Sequence, residues 1–261
     1  MTTITAIVSD THIGGTTALA PPAFENAEGQ VIKATRAQNW LYRNWLEYWE
    51  YVRKLTEKHN ARLIVLHLGD ILDGDHHQTV QALPNVVDQE NMAFEILEPL
   101  ALRSDKFFIF RGTEAHAGPA AGSEVRIAER LGAIILPIGR LDIDGTLINV
   151  AHHGRASKRE WTSSAASVAT QAQLKALRRK LPPPRYVFRG HNHIIDDSGE
   201  KLNGTRAISM PAWQLATDYI YSIDPDTIAD IGGVIILPDG SLDLSRLRYQ
   251  AAPGEREVVR V

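Results

Sequence analysis

Short runs of branched and aromatic residues recur along the chain: Ile4 to Ser9, Arg62 to Leu68, Lys106 to Arg111, Leu147 to Ala151, Arg185 to Arg189, Arg206 to Met210 and Gly233 to Leu237. Runs of this length and composition predict strands, and several are nearly continuous apolar, as strands covered on both faces are. Between them the apolar period changes. Residues 33 to 60 place Leu41, Trp45, Tyr48, Val52 and Leu55 on one helical face. Residues 90 to 103 predict a second helix. Ser123 to Leu131 predict a third, closed by Gly132, and Ser164 to Leu181 a fourth, stopped by Pro182, Pro183 and Pro184. Alternating strands and helices predict a layered α/β architecture. Residues 14 to 32 are polar, patternless and rich in Gly and Pro, which predicts a long loop directly after the first strand.

Composition narrows this picture in three ways. The chain has 261 residues and neither repeats nor an obvious linker, so residues 1–261 are expected to form one domain. It has no cysteine, so any metal must be held by nitrogen and oxygen. A net charge of −3 supplies no global positive field toward nucleic acid, although a local basic groove stays open. The N-terminal stretch MTTITAIVSD lacks the basic and apolar regions of a leader, and no apolar run is long enough to span a membrane. A soluble cytoplasmic protein without a membrane partner is the simplest expectation; oligomeric state is left open.

The chemistry lies where the strands end. Ile4 to Ser9 leads into Asp10-Thr11-His12, and Leu63 to Leu68 into Gly69-Asp70-Ile71-Leu72-Asp73. Phe107 to Arg111 leads into Gly112-Thr113-Glu114-Ala115-His116. Leu147 to Ala151 leads into His152-His153-Gly154, and Tyr186 to Arg189 into Gly190-His191-Asn192-His193. In open α/β sheets ligands bind beyond the carboxyl ends of the strands, so these five clusters are expected to share one rim. Imidazoles and carboxylates together suit Mn, Fe, Zn, Co or Ni better than Ca or Mg. The donors suffice for two ions ~3.5–4 Å apart, the spacing that clamps the attacking and leaving oxygens of a phosphoryl displacement.

In order and spacing, Asp10-x-His12, Gly69-Asp70-x-x-Asp73, a Gly-led cluster at 112, the histidine pair at 152 and Gly190-His191-x-His193 resemble the calcineurin-like metallophosphoesterases, over residues 10 to 193. The motif order also resembles small, cysteine-free members from bacteria and their phages. The resemblance implies a two-sheet β-sandwich flanked by helices, and a metal-dependent phosphoesterase or phosphodiesterase. It implies two divalent ions, manganese first among them: Asp10, His12 and His193 on one, His152 and His191 on the other, Asp70 bridging. Asp73 would stand behind these ligands. The family usually carries Gly-Asn-His followed by an acid where this chain has Gly-Thr-Glu-Ala-His, so Thr113 replaces a ligating Asn and Glu114 a catalytic His. Thr113 or Glu114 is then a possible metal ligand, and His116 the expected acid if the segment winds as a turn.

Each residue also has a plainer role available. Asp73 can cap a turn. His152 and His153 compete for one ligand position, and His152 is preferred because it follows the strand directly. His76 and His77 fit a solvated loop as well as a substrate contact, and Arg111 and Arg155 fit surface charge as well as phosphate binding. His67, inside an apolar strand, is read as a core histidine, and Trp40, Trp45 and Trp49 as core. Trp213 is placed in a loop that covers the site. The expected substrate is a phosphate mono- or diester, nucleotides or nucleic acid favoured; the rival reading is a non-catalytic metal-binding scaffold of the same fold.

Overall fold

A computed structural model of the chain describes residues 2–74, 80–153, 164–199, 204–217, Ile220, Ser222 and 229–246. The strands are β1 (Thr3–Val8), β2 (Ala23–Glu25), β3 (Val31–Lys33), β4 (Arg62–His67), β5 (Lys106–Phe110), β6 (Ile134–Leu136) and β7 (Gly139–Ile143), then β8 (Thr146–Ala151), β9 (Tyr186–Arg189), β10 (Asp196–Asp197), β11 (Arg206–Ser209), β12 (Val234–Ile236) and β13 (Leu242–Asp243). The helices are α1 (Arg36–Lys58), α2 (Val86–Arg103), α3 (Glu114–Ala117), α4 (Gly122–Leu131) and α5 (Ser164–Arg178).

Two sheets carry the fold. The first runs β13-β12-β1-β4-β5-β6, with β1, β4, β5 and β6 parallel and β12 antiparallel to β1. The second runs β10-β11-β9-β8-β7, with β8, β9 and β11 parallel. Strand alternation sorts the side chains into layers. Ile7, Leu66, Phe110, Val150 and Phe188 fill the space between the sheets. On the other face of the first sheet Val8, Val65 and Ile109 join the core formed with Leu41 and Trp45 of α1, Ile96 of α2 and Ile127 of α4. Ala165 and Ala169 of α5 cover Val187 and Ala207 outside the second sheet. The architecture is thus a mixed α/β sandwich of two sheets flanked by helices, as the sequence predicts.

All seven predicted strands and all four predicted helices form, and Gly132 closes α4 in the left-handed conformation (φ 64°). The strands that pattern did not predict include β6, β7, β10 and β13, the four ends of the two sheets. β6, β10 and β13 have three residues or fewer, and Arg140 and Asp142 in β7, Asp196 and Asp197 in β10 and Asp243 in β13 interrupt the apolar pattern, a common way to protect an unpaired edge. Among the described residues, no helix is long and apolar enough to cross a membrane.

Residues 14 to 32 depart from the expected loop. Its first part is buried, with Leu19 N–H donating to Thr11 O at 3.3 Å, and β2 pairs with β3 as a hairpin around Asn26 to Gln30. The helix after it explains the order. Thr35 and Gln38 form a reciprocal capping box at the start of α1, and the Gln38 amide reaches on to donate to Gly15 O at 3.1 Å and Ala18 O at 3.3 Å.

Candidate metal centre

The parallel pairing of β1 with β4 continues past both strands. Asp10 N–H donates to Gly69 O, His12 N–H to Asp70 O and Ile13 N–H to Ile71 O, at 2.8 to 3.1 Å. This ladder sets the Asp-x-His and Gly-Asp turns side by side. Five of the six predicted ligands then adopt a left-handed backbone: Asp10 (φ 52°), His12 (42°), Asp70 (49°), His191 (73°) and His193 (56°). Each such residue without a glycine's freedom costs about 1 kcal/mol, and a run of them marks a site held in place by its surroundings.

The turns from different strands touch through glycine. A Cβ on Gly112 would lie 2.1 Å from Asp70 Oδ1, and one on Gly190 would lie 2.3 Å from Ser9 Oγ and 2.9 Å from Asp10 Oδ2. These two positions need the bare backbone because each carries a loop hard against a carboxylate. Across the Gly190 contact, His191 N–H donates to Asp10 Oδ2 at 3.1 Å, so the second sheet grips a side chain of the first. Ser9 Oγ donates to the same oxygen.

Two ligand sets result. Asp10, His12 and His193 can place one donor each within 4.8 Å of one another, and so can Asp70, His152 and His191. In the first, His12 Nε2 and His193 Nε2 are 3.0 Å apart, with Asp10 Oδ1 3.4 Å from His193 Nε2. In the second, His152 Nδ1 donates to Leu68 O at 2.7 Å, which turns Nε2 toward Asp70 Oδ2 at 3.0 Å. His152 Nε2 and His12 Nδ1, both buried, have no hydrogen-bond partner among the described residues. Nitrogen and oxygen lone pairs crowded this closely, most of them buried, need a proton or a cation between them. The donor set therefore fits divalent transition metals, with imidazole and carboxylate in each half.

Without metal, protons take that part. Burial disfavours charge on His152, but Asp10, Asp70 and the Leu68 carbonyl outweigh it and push the imidazole up to about 9. Burial alone would raise the Asp10 carboxyl, yet His152, His193 and His12 hold it well below the usual carboxylate range. Burial likewise opposes ionisation of Asp70, and His152 and His12 still bring it down to about 2.

Neither a family model nor a curated protein sequence matches this chain. Solved structures do align. An archaeal phosphodiesterase aligns at 12% identity and a TM-score of 0.44, over 92% of this chain and 97% of that one. Vps29 of Entamoeba histolytica, complexed with Zn, aligns at 8% and 0.44, over 92% and 88%. Vps29 of Cryptosporidium parvum aligns at 13% and 0.46, over 93% and 95%. At this level of likeness no residue role transfers from one chain to another.

The loop at 112 to 116 winds as the helical turn α3. His116 Nδ1–H donates to Asp73 O at 2.7 Å, and its ring stands edge-on to His12 with centroids 4.3 Å apart. With Asp73 and His12 it forms a third donor group on the flank of the first set. Thr113 lies against Asp70: its N–H donates to Oδ1 at 2.6 Å, and its hydroxyl reaches Oδ1 at 3.1 Å and Oδ2 at 3.3 Å. Glu114 is exposed and joins none of the donor groups. His153 is exposed beside His191, ring centroids 4.4 Å apart, and also stays outside them. Arg111 is exposed at the end of β5. His76, His77 and Arg155 lie outside the described residues.

Trp213 does not cover the site. It is fully buried beneath it, against Trp45 and Tyr48, and its backbone N–H donates to Asp10 O at 2.9 Å. His67 is the core histidine expected, kept neutral by burial, which brings it down to about 4. It still serves the site: its Nδ1 accepts from Gly69 N–H at 3.2 Å, just before Asp70. Sequence reading missed Gln89 and Glu124. Gln89 pins Gly74 through its side chain, accepting from Gly74 N–H at 2.9 Å. Glu124 is fully buried, and burial pushes its carboxyl up to about 7 against the N–H bonds it accepts. Both look like ordinary helix surface positions in sequence; an acid two residues into a helix reads as a dipole partner and nothing more.

Proposed function

We propose that the chain is a metal-dependent phosphoesterase, a hydrolase of phosphate mono- or diesters that uses two divalent ions, manganese foremost. The observation that carries this reading is the pair of adjacent donor sets, Asp10/His12/His193 and Asp70/His152/His191, each with two buried members and a histidine from the 191 to 193 turn that is open to solvent. When bound, two such ions supply a water of lowered pKa and a clamp on the attacking and leaving oxygens of an in-line displacement.

The chain's own residues do the rest. Ser9 and His191 N–H hold the Asp10 carboxylate, and Thr113 holds that of Asp70. The Leu68 carbonyl fixes the tautomer of His152, so that Nε2 is the ligating nitrogen. The Asp73 carbonyl takes Nδ1–H of His116 and leaves Nε2 facing the site, so that in the imidazolium form Nε2–H is the proton given to the leaving oxygen, and the ring remains with its proton on Nδ1. A nucleotide or nucleic acid is the favoured substrate, supported by the basic residues that flank the clusters, Arg111 and Arg155. The cytoplasm is the proposed setting.

Hydrolysis of bis-p-nitrophenyl phosphate and p-nitrophenyl phosphate in Mn²⁺ tests the reading and separates diesterase from monoesterase. Turnover of at least one is expected, and chelation should stop it. Turnover of neither, by protein shown to hold metal, overturns the catalytic reading. It leaves the scaffold alternative, which the replacement of the family's Gly-Asn-His by Gly112-Thr113-Glu114 favours.

A further inference from the structure

Behind the second donor set lies a carboxylate that the proposed chemistry does not use. Glu124, in the first turn of α4, is fully buried. Its partners are backbone: Oε2 accepts Gly112 N–H at 2.8 Å and Oε1 accepts Ile71 N–H at 3.4 Å. A buried carboxylate without a cation against it is costly unless its lone pairs are filled, so its placement calls for a reason.

The two N–H groups belong to the two loops that build the Asp70 side of the rim. Ile71 follows Asp70, and Gly112 precedes Thr113. From Thr113 the N–H and hydroxyl return to Asp70 Oδ1 at 2.6 and 3.1 Å. The contacts thus close a ring through Glu124, Gly112, Thr113, Asp70 and Ile71. Gly112 is pressed so closely on Asp70 that a Cβ would lie 2.4 Å from Asp70 N. Within this ring Asp70 Oδ1 takes the two shorter contacts, the Thr113 hydroxyl also reaching Oδ2 at 3.3 Å, and Oδ2 is the oxygen presented toward His152 Nε2 at 3.0 Å.

We propose that Glu124 is a positioning residue for the cation held by Asp70, His152 and His191: by tying both loops together from behind, it makes Asp70 present Oδ2 to that cation while Thr113 holds Oδ1. The proposal rests on the two-cation reading above. It assigns Thr113 a role in place of ligation, as the clamp that Glu124 sets. Ionised, Glu124 accepts from both N–H groups, whereas a glutamine keeps one acceptor oxygen but turns an NH₂ toward the other N–H, so two donors meet.

The test is a calorimetric titration of metal-free protein with Mn²⁺, following binding and not turnover. Wild type should show two binding steps, and His191→Ala should mark the one that belongs to the Asp70 position. Glu124→Gln should weaken that step about 10- to 100-fold, the usual effect of losing a group that orients a ligand, and leave the other step in place. Thr113→Val, which removes only the hydroxyl, should weaken the same step by less. Equal weakening of both steps in Glu124→Gln overturns the proposal, since a merely structural role would act on both. An unchanged isotherm for Thr113→Val overturns the clamp even if Glu124→Gln fails to fold. No binding by wild type removes the two-cation reading and this proposal with it.

Discussion

His152 gives its two ring nitrogens opposite tasks in relation to Asp70: Nδ1 donates to the Leu68 carbonyl at 2.7 Å, and Nε2 stands 3.0 Å from Asp70 Oδ2. The backbone thereby decides which nitrogen faces the carboxylate. Asp70→Asn keeps the shape but removes the charge and puts a donor among donors. Activity should fall on the order of 10³-fold or more, and metal content should fall with it. Parallel assays of turnover and bound metal check this; full metal content in the variant would contradict the ligand role of Asp70.

His116 should behave differently. Its Nδ1–H is engaged by Asp73 O and its ring packs against His12, beside the first donor set. His116→Ala should lower kcat about 10²- to 10⁴-fold, the usual worth of a general acid, with bound metal unchanged. Loss of metal in this variant would assign His116 to the ligands and remove its role as acid.

These roles were unevenly legible in the sequence. Asp10, His12, Asp70, His152, His191 and His193 announce themselves because each follows a run of apolar residues directly, and the strand-end rule then brings them together. The helices were legible for the same reason: Leu41, Trp45 and Tyr48 keep one face. What stayed hidden depends on contacts distant in sequence. Gln38 ordering the loop at 15 to 18, Trp213 supporting Asp10 and Glu124 joining residues 71 and 112 leave no local period. The hairpin β2–β3 has three residues to a strand, too few for a period to show, so its pairing outweighs a stretch that reads as loop.

Glu124 also predicts a pH dependence of stability in chelated protein. Burial pushes its carboxyl up to about 7 from an ordinary 4.5. Between those values the native state holds a proton that the unfolded chain has lost, so this contribution is fully present below pH 4.5 and is lost as pH rises through 7. The shift corresponds to about 3 kcal/mol across that window. Urea denaturation from pH 4.5 to 7 should show this decline in wild type, and Glu124→Gln should lack that part of the slope. Parallel slopes in the two proteins would contradict it.

Gly112→Ala tests the close approach of the third loop. The added methyl would meet Asp70 Oδ1 at 2.1 Å and Asp70 N at 2.4 Å, neither of which can withdraw without moving the turn. A loss of about 1–3 kcal/mol in stability is expected, together with weaker metal binding. Thermal melts with and without Mn²⁺ should show a smaller stabilisation by metal than in wild type; an equal one would mean that Asp70 had kept its place.

Metal content per chain decides whether this rim holds two divalent ions. After loading with Mn²⁺ and exhaustive dialysis, elemental analysis should find about two equivalents per chain, the number the two donor sets can hold. No metal above background would contradict the account.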